Sequence, residues 1–232
     1  MIPLDPTNHP VTVVDWVELA EHDRDGQRKI VDIQRAGAED DDDPAWVSSA
    51  LHAAHTRAGV ARLTQWRTAA ELRAHRAGES NRLAELAWTG PATEHRMLAA
   101  ELVSVQQAPS VTGGVDITTA RDDWTSIAIQ WVAPQDQDTL VTELTRPREE
   151  WVHLLPGYRS HSVLRGLDGT FVINYAQWES KRAYWAFHDV PEHVWPPDVR
   201  ASRDRARRLT TAWEYDTFRV VHSRTARRTD QF

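Results

Sequence analysis

The feature that most constrains this chain is that it repeats itself. Residues 59–75 lie over residues 171–187 when Gln65-Trp66 is set on Gln177-Trp178, an offset of 112 residues. Both stretches share one grammar: a β-branched or apolar run, Gln-Trp, a short polar break, then an amphipathic segment. Upstream, residues 45–52 match residues 157–165 at nearly the same offset. Residues 11–19 resemble residues 125–132, each carrying Trp-Val towards its end. Three blocks in one order point to two copies of one unit, because self-similarity at a fixed spacing marks a repeated structural element. The length of 232 residues accommodates two small domains. The expected division is residues 1–106 for the first unit, a polar Gly-containing linker at 107–123, and residues 124–232 for the second unit. Residues 1–10 and 223–232 read as frayed ends.

Each unit reads as strand, helix, strand, strand, helix, strand. In the second copy, residues 126–132 are β-rich and lead into a Pro-Gln-Asp break suited to a helix start. Leu140, Leu144, Trp151 and Leu154 then recur at helical spacing, with Pro147 breaking the pattern near Arg146. Two strands follow around Leu167-Asp168-Gly169, an Asp-Gly hairpin signal. Residues 180–188 read as a short helix with Ala183, Tyr184 and Phe187 on one side, and residues 198–209 as an Arg-rich helix. A strand over 213–222 closes the unit. In the first copy the opening helix (about 25–36) sets Ile30, Ile33 and Gly37 on one face. The acidic run 39–43 reads as a solvated loop.

Composition narrows the chemistry. There is no cysteine, which removes disulfides, thiolate metal sites, Fe–S clusters and cysteine nucleophiles. A net charge of −7 gives no electrostatic reason to expect nucleic acid as a partner. No apolar run approaches the roughly 18–20 residues of a membrane span, and the N-terminus has neither a basic start nor an apolar stretch; a cytoplasmic protein without a membrane partner is expected. Helical HExxH spacing, GxGxxG, GxxxxGK[ST] and GxSxG are all absent. Eleven tryptophans against four tyrosines and four phenylalanines are mostly core filling.

The run from Pro156 through Ser160, then residues 164–170, then residues 172–180 with Asn174 and Gln177-Trp178, resembles the antibiotic biosynthesis monooxygenase family. The second copy matches along nearly its whole length and the first mainly at Gln65-Trp66. The resemblance implies an α+β fold: two ferredoxin-like units whose antiparallel sheets form an intramolecular dimeric α+β barrel. A single unit leaves one sheet face apolar and uncovered, and two copies in one chain can cover it internally. Homodimerisation on top of that stays open.

The resemblance also implies a site. Asn174 and Trp178 are four apart on a strand, hence on one face, and Tyr184 follows at the start of the next helix. In quinone-forming members an Asn, Trp and Tyr at this spacing line the substrate pocket. The chemistry suits them: an electron-rich phenol or anthrone, once deprotonated, reduces O2 without flavin, metal or other cofactor. The protein then supplies hydrogen-bond donors for the enolate and peroxide oxygens. The implied function is a cofactor-independent monooxygenase that turns an aromatic polyketide into a quinone, with O2 as co-substrate. A polyketide cyclase and a non-catalytic accessory barrel are the alternatives.

In the first copy Arg62 stands where the second has Asn174, Leu63 stands for Tyr175 and Leu72 for Tyr184, while Trp66 survives. One site per chain, in the second unit, is expected. Arg165, His161, His188, Arg200 and Trp66 are the further substrate-binding candidates. Arg200 shares its helix with Arg203, Arg205, Arg207 and Arg208, which also reads as a solvated basic face. Haem-degrading relatives are disfavoured, since residues 126–132 hold no Asn and residues 198–209 no His.

Overall fold

A computed structural model describes residues 2–8, 11–37, 46–78, 88–146 and 155–226. The strands are β1 (Ile2–Pro3), β2 (Val11–Glu18), β3 (Trp46–Ala54), β4 (Gly59–Trp66), β5 (Glu94–Gln107), β6 (Asp116–Ile117), β7 (Trp124–Val132), β8 (Tyr158–Gly166), β9 (Phe171–Trp178) and β10 (Thr210–Thr225). The α-helices are α1 (Arg24–Gly37), α2 (Ala69–Ala77), α3 (Gln137–Thr145), α4 (Lys181–His188) and α5 (Pro197–Leu209). The repeat survives in three dimensions. The pairs β3/β8, β4/β9 and α2/α4 each start 112 residues apart, and even the helix caps correspond: Thr68 Oγ1 accepts from the Glu71 N–H at 3.1 Å, and Ser180 Oγ from the Ala183 N–H at 3.2 Å. The first strands need a correction. Val11 pairs with Trp66 as Trp124 pairs with Trp178, so β2 and β7 correspond at 113 residues, whereas matching their Trp-Val pairs gives 115. A two-residue slip keeps every side chain on its face, so the sequence pattern tolerates it.

Each unit forms a four-stranded antiparallel sheet, β5-β2-β4-β3 and β10-β7-β9-β8, and the two close into an eight-stranded barrel. The fourth strand of each unit makes the closure. β5 is 14 residues long and pairs with β2 through its first half and with β8 of the other unit through its second; β10, 16 residues long, pairs likewise with β7 and then β3. The apolar inner faces meet inside. Trp16, Leu63, Ile127, Ile173, Tyr175 and Phe218 belong to this central core. One polar pair bridges the units there: His52 Nδ1 lies 3.1 Å from the Ala61 carbonyl and its Nε2 lies 3.0 Å from the Tyr175 hydroxyl. The carbonyl can only accept, so Nδ1 carries the proton and Nε2 accepts from Tyr175. Burial lowers the His52 pKa to about 4 and raises that of Tyr175.

The outer faces carry the helices. On α3, Leu140 is fully buried and the helix stops at Thr145, ahead of Pro147; Trp151 and Leu154 lie outside the described residues, as does the acidic run at 39–43. α3 is tied to α5 through Glu143, which accepts from Arg205 and Ser202 and pairs with Arg146. The Asp168-Gly169 hairpin forms, with Gly169 at φ +83° and the Thr170 N–H bonded to Asp168 Oδ1 at 2.9 Å. Three expectations fail. α1 buries Gln27, Ile30 and Val31 while Ile33 stays exposed, because the Gln27 amide caps strand carbonyls of Ala54 and Gly59. The segment after β5 contains β6, which pairs with β1, so Ile2 and Leu4 are buried at the start of the chain. At the other end β10 continues to Thr225, held by β3.

Candidate functional site

The helix-side face of the second sheet can be mapped row by row, because residues opposed in an antiparallel pair point the same way. One row runs Tyr215, Ala128, Asn174, Val163; the next runs Thr217, Ser126, Ala176, His161; Trp124, Trp178 and Tyr158 close one end. The middle of this face is paved by small side chains. Ser126 and Ala128 are partly exposed although helices lie over the same sheet, so a strip along β7 with small side chains as its floor stays open to solvent, the trough of this face. In the first unit the equivalent places hold Val13 and Asp15.

Asn174 is half-buried at the side of this trough. Trp178 sits deeper: only 3% exposed, it packs edge-on against Tyr158 (centroids 5.1 Å) and Tyr184 (6.2 Å) and stacks on Phe187 (5.2 Å). α4 presses its Tyr184–Phe187 side down on the indole, so Trp178 and Tyr184 are packed groups at the end of the row, whereas Asn174 is more open. Among the described residues, none of the Asn174 amide, Trp178 indole N–H and Tyr184 hydroxyl makes a hydrogen bond, and Asn174 Oδ1 is a buried polar atom with no partner. Burial, with Tyr215 and Asp216 on β10, pushes the Tyr184 pKa up to about 12, so its hydroxyl keeps its proton and can donate at neutral pH.

The first unit contrasts at each position. Arg62 donates to the buried Asp15 (2.9 Å) and to Gln34 (3.0 Å) and covers the Trp88 ring at 4.5 Å, while His95 Nε2 lies 3.1 Å from Asp15. Asp15 is held below the usual carboxylate range by Arg62 and His95 against the opposing effect of burial. Trp66 donates to Thr64 at 3.2 Å, and Leu72 is apolar.

The remaining candidates divide. His161 lies near the site, but its ring bridges the Tyr158 hydroxyl (3.0 Å) and the Leu144 carbonyl (3.3 Å), so both nitrogens are engaged. His188 packs on Tyr184 (4.3 Å), and burial plus the nearby Arg203 lower its pKa. Arg165, Arg200 and Trp66 are not brought in. Arg165 faces outward and pairs with Glu101 and Asp138, closing one seam between the units. Arg200 is exposed on the outer side of α5, whose inner side is Val199, Ser202 and Ala206; the arginine turned towards His188 is Arg203, stacked on Trp195 at 4.4 Å. Trp66 lies in the core of the first unit. Ser126, Ala128, Trp213 and Tyr215 escaped the sequence reading; the signal was the period-2 run of small residues on β7.

A separate cleft of about 760 Å³ opens at the other seam, between α1 (Arg28, Asp32, Arg35) and the turn into α4 (Glu179, Lys181). Trp124 stands between it and the trough, stacked on His55 at 3.7 Å. The cleft lining mixes charges of both signs. Among the described residues no group of three His, Asp or Glu side chains could hold a metal ion, and no helix is long and apolar enough to cross a membrane.

Fold and site together define an α+β barrel built from two fused ferredoxin-like units, with an uncommitted polar cluster on one of them. No family model matches the chain. It is 33% identical to the tetracenomycin-F1 monooxygenase of Streptomyces glaucescens over 75 residues, which span 32% of this chain and 67% of that protein. The crystal structure of an anthrone oxidase-like protein superposes with a TM-score of 0.87 at 27% identity over 95% of both chains. A Fusobacterium nucleatum protein shares the fold alone, with a TM-score of 0.62 at 5% identity over 94% of each chain. The chain belongs to the antibiotic biosynthesis monooxygenase family.

Proposed function

We propose that the chain is a cofactor-independent monooxygenase that oxidises an aromatic polyketide of the anthrone or phenol type to a quinone, with one site per chain in the second unit. One contrast carries the reading: Asn174, Trp178 and Tyr184 keep three polar groups free of partners within the described chain, whereas Arg62, Trp66 and Leu72 of the first unit are bonded or apolar. Asn174 Oδ1, buried without a partner, costs stability unless a ligand completes it, and the Trp178 and Tyr184 groups stay available to the same ligand. The substrate methylene loses a proton to give an enolate. The enolate carbon passes one electron to O2, and the resulting radical pair forms a C–O bond, giving a peroxide. Loss of the second methylene proton with cleavage of the O–O bond leaves C=O and releases water. One CH2 and one O2 thus become one C=O and one H2O. Asn174 and Tyr184 donate to the enolate oxygen as charge develops there, and the indole N–H of Trp178 to the peroxide.

The test is aerobic incubation of the purified chain with 1,8-dihydroxyanthrone, following quinone absorbance and O2 uptake. One O2 consumed per quinone at a rate well above buffer is expected, and Asn174→Ala should lower kcat by about 10²-fold, the usual effect of losing one such donor. A rate equal to buffer overturns the reading. Ring closure of an uncyclised aromatic polyketide precursor under nitrogen, with no oxidation of the anthrone in air, assigns a cyclase instead.

A further inference from the structure

β10 carries two aromatic side chains that packing does not explain. Trp213 and Tyr215 are 57% and 47% exposed, yet they stack on one another with ring centroids 4.8 Å apart at 19°. Register settles which way they face. Tyr215 opposes Ala128, and Ala128 opposes Asn174, so Tyr215 and Asn174 stand on either side of the small floor on one face, two strand spacings or about 10 Å apart. Trp213 opposes Gln130 in the next row along the trough. Tyr215 is also close enough to Tyr184 to contribute to its raised pKa, which ties the pair to the same polar cluster. In the first unit Met97 and His95 hold the equivalent places, opposite Asp15 and Val17 respectively, and no stacked pair forms between them.

We propose that Trp213 and Tyr215 are the stacking wall of the substrate site. They take the face of a fused polycyclic aromatic ring system whose oxygen-bearing edge points to Asn174 and Tyr184, and they discriminate against single-ring phenols. The inference rests on the site reading above. The occupant follows from continuity: the wall shares its floor with donors that lack partners, and large rigid rings are what such a surface desolvates. Between Gln130 and Trp124 β7 runs about 20 Å, and three or four fused rings fit within that span.

The experiment measures binding apart from chemistry. The full chain is titrated with 1,8-dihydroxyanthraquinone, which is already oxidised, and the visible absorbance of the dye reports the complex. Wild type is expected to bind saturably. The double variant Trp213→Ala/Tyr215→Ala should bind about tenfold more weakly, while Tyr215→Phe keeps its affinity. In anthrone turnover the double variant should raise KM with kcat nearly unchanged, and turnover of phenol, a single ring with an open para position, should not respond. Because both side chains are exposed, the urea midpoint should stay where it is. No dye binding by wild type, equal affinities in wild type and double variant, or a change of sedimentation coefficient that makes the wall a contact between copies of the chain would each overturn the proposal. Dye binding that depends on the wall in a protein inert towards anthrone keeps this inference and removes the oxygenase reading.

Discussion

His52 makes the stability of the barrel depend on acid. Its ring is wholly buried, protonated at Nδ1 for the Ala61 carbonyl and accepting at Nε2 from Tyr175. Burial brings its pKa from 6.5 to about 4. Between those values the unfolded chain takes up a proton that the folded chain refuses, so stability falls as pH drops from 6.5 towards 4. At 1.36 kcal/mol per unit the shift corresponds to about 3 kcal/mol over that window. The comparison variant is His52→Leu/Tyr175→Phe, which removes both partners together and leaves no buried group orphaned; Leu164, which stands where the repeat would put His52, is already accepted in the same core. Urea unfolding followed by circular dichroism at intervals from pH 7 to pH 4 gives both stability curves. Every other histidine and carboxylate titrates in both proteins and cancels. The gap between wild type and variant should move by about 3 kcal/mol in the variant's favour on going to pH 4. Parallel curves would refute the buried neutral imidazole.

Three further outcomes are expected. Trp178→Phe should slow anthrone turnover, whereas Trp66→Phe should leave it unchanged and cost about 1 kcal/mol in urea unfolding, from the lost bond to Thr64. Asp15→Ala leaves Arg62 beneath α1 without its carboxylate and should destabilise the chain by about 2 kcal/mol, less than for a fully buried pair because the guanidinium is partly exposed; the urea midpoint measures it. Glu143, drawn down to about 2 chiefly by the bond from Arg205, stabilises the folded chain above pH 4.5 and loses that contribution as pH falls towards 2. Glu143→Gln should therefore flatten the acid limb of a thermal-unfolding profile below pH 4.5.

What the sequence made legible was what depends on near neighbours. The Gln-Trp blocks, the short polar breaks that follow them and the Asp168-Gly169 turn are local patterns, and each strand and helix they flank lies where the pattern put it. Pairings across long sequence separations were not legible. Arg165 looked like a pocket residue because its partner Glu101 lies 64 positions away on the other unit. Arg200 and Arg203 are both compatible with the inner face of an Arg-rich helix, and only the rotation of α5 about its axis, fixed by Val199, Ser202 and Ala206, decides between them. Trp213 and Tyr215 gave no sign of their placement, since whether an aromatic on a strand is covered depends on which part of the sheet the helices reach. β6 and β1 are too short to leave a periodic signal.

Fusion of the two units in one polypeptide has a consequence for how such a barrel can vary. In a pair of identical chains every substitution arrives twice, so a charge cluster that locks one sheet would also fill the other. Here Asp15, Arg62 and His95 can tie one half together while Ser126 and Ala128 leave the matching face of the other half open. Tight packing and openness, which compete for the same positions in a symmetric assembly, fall to different halves of a single polypeptide.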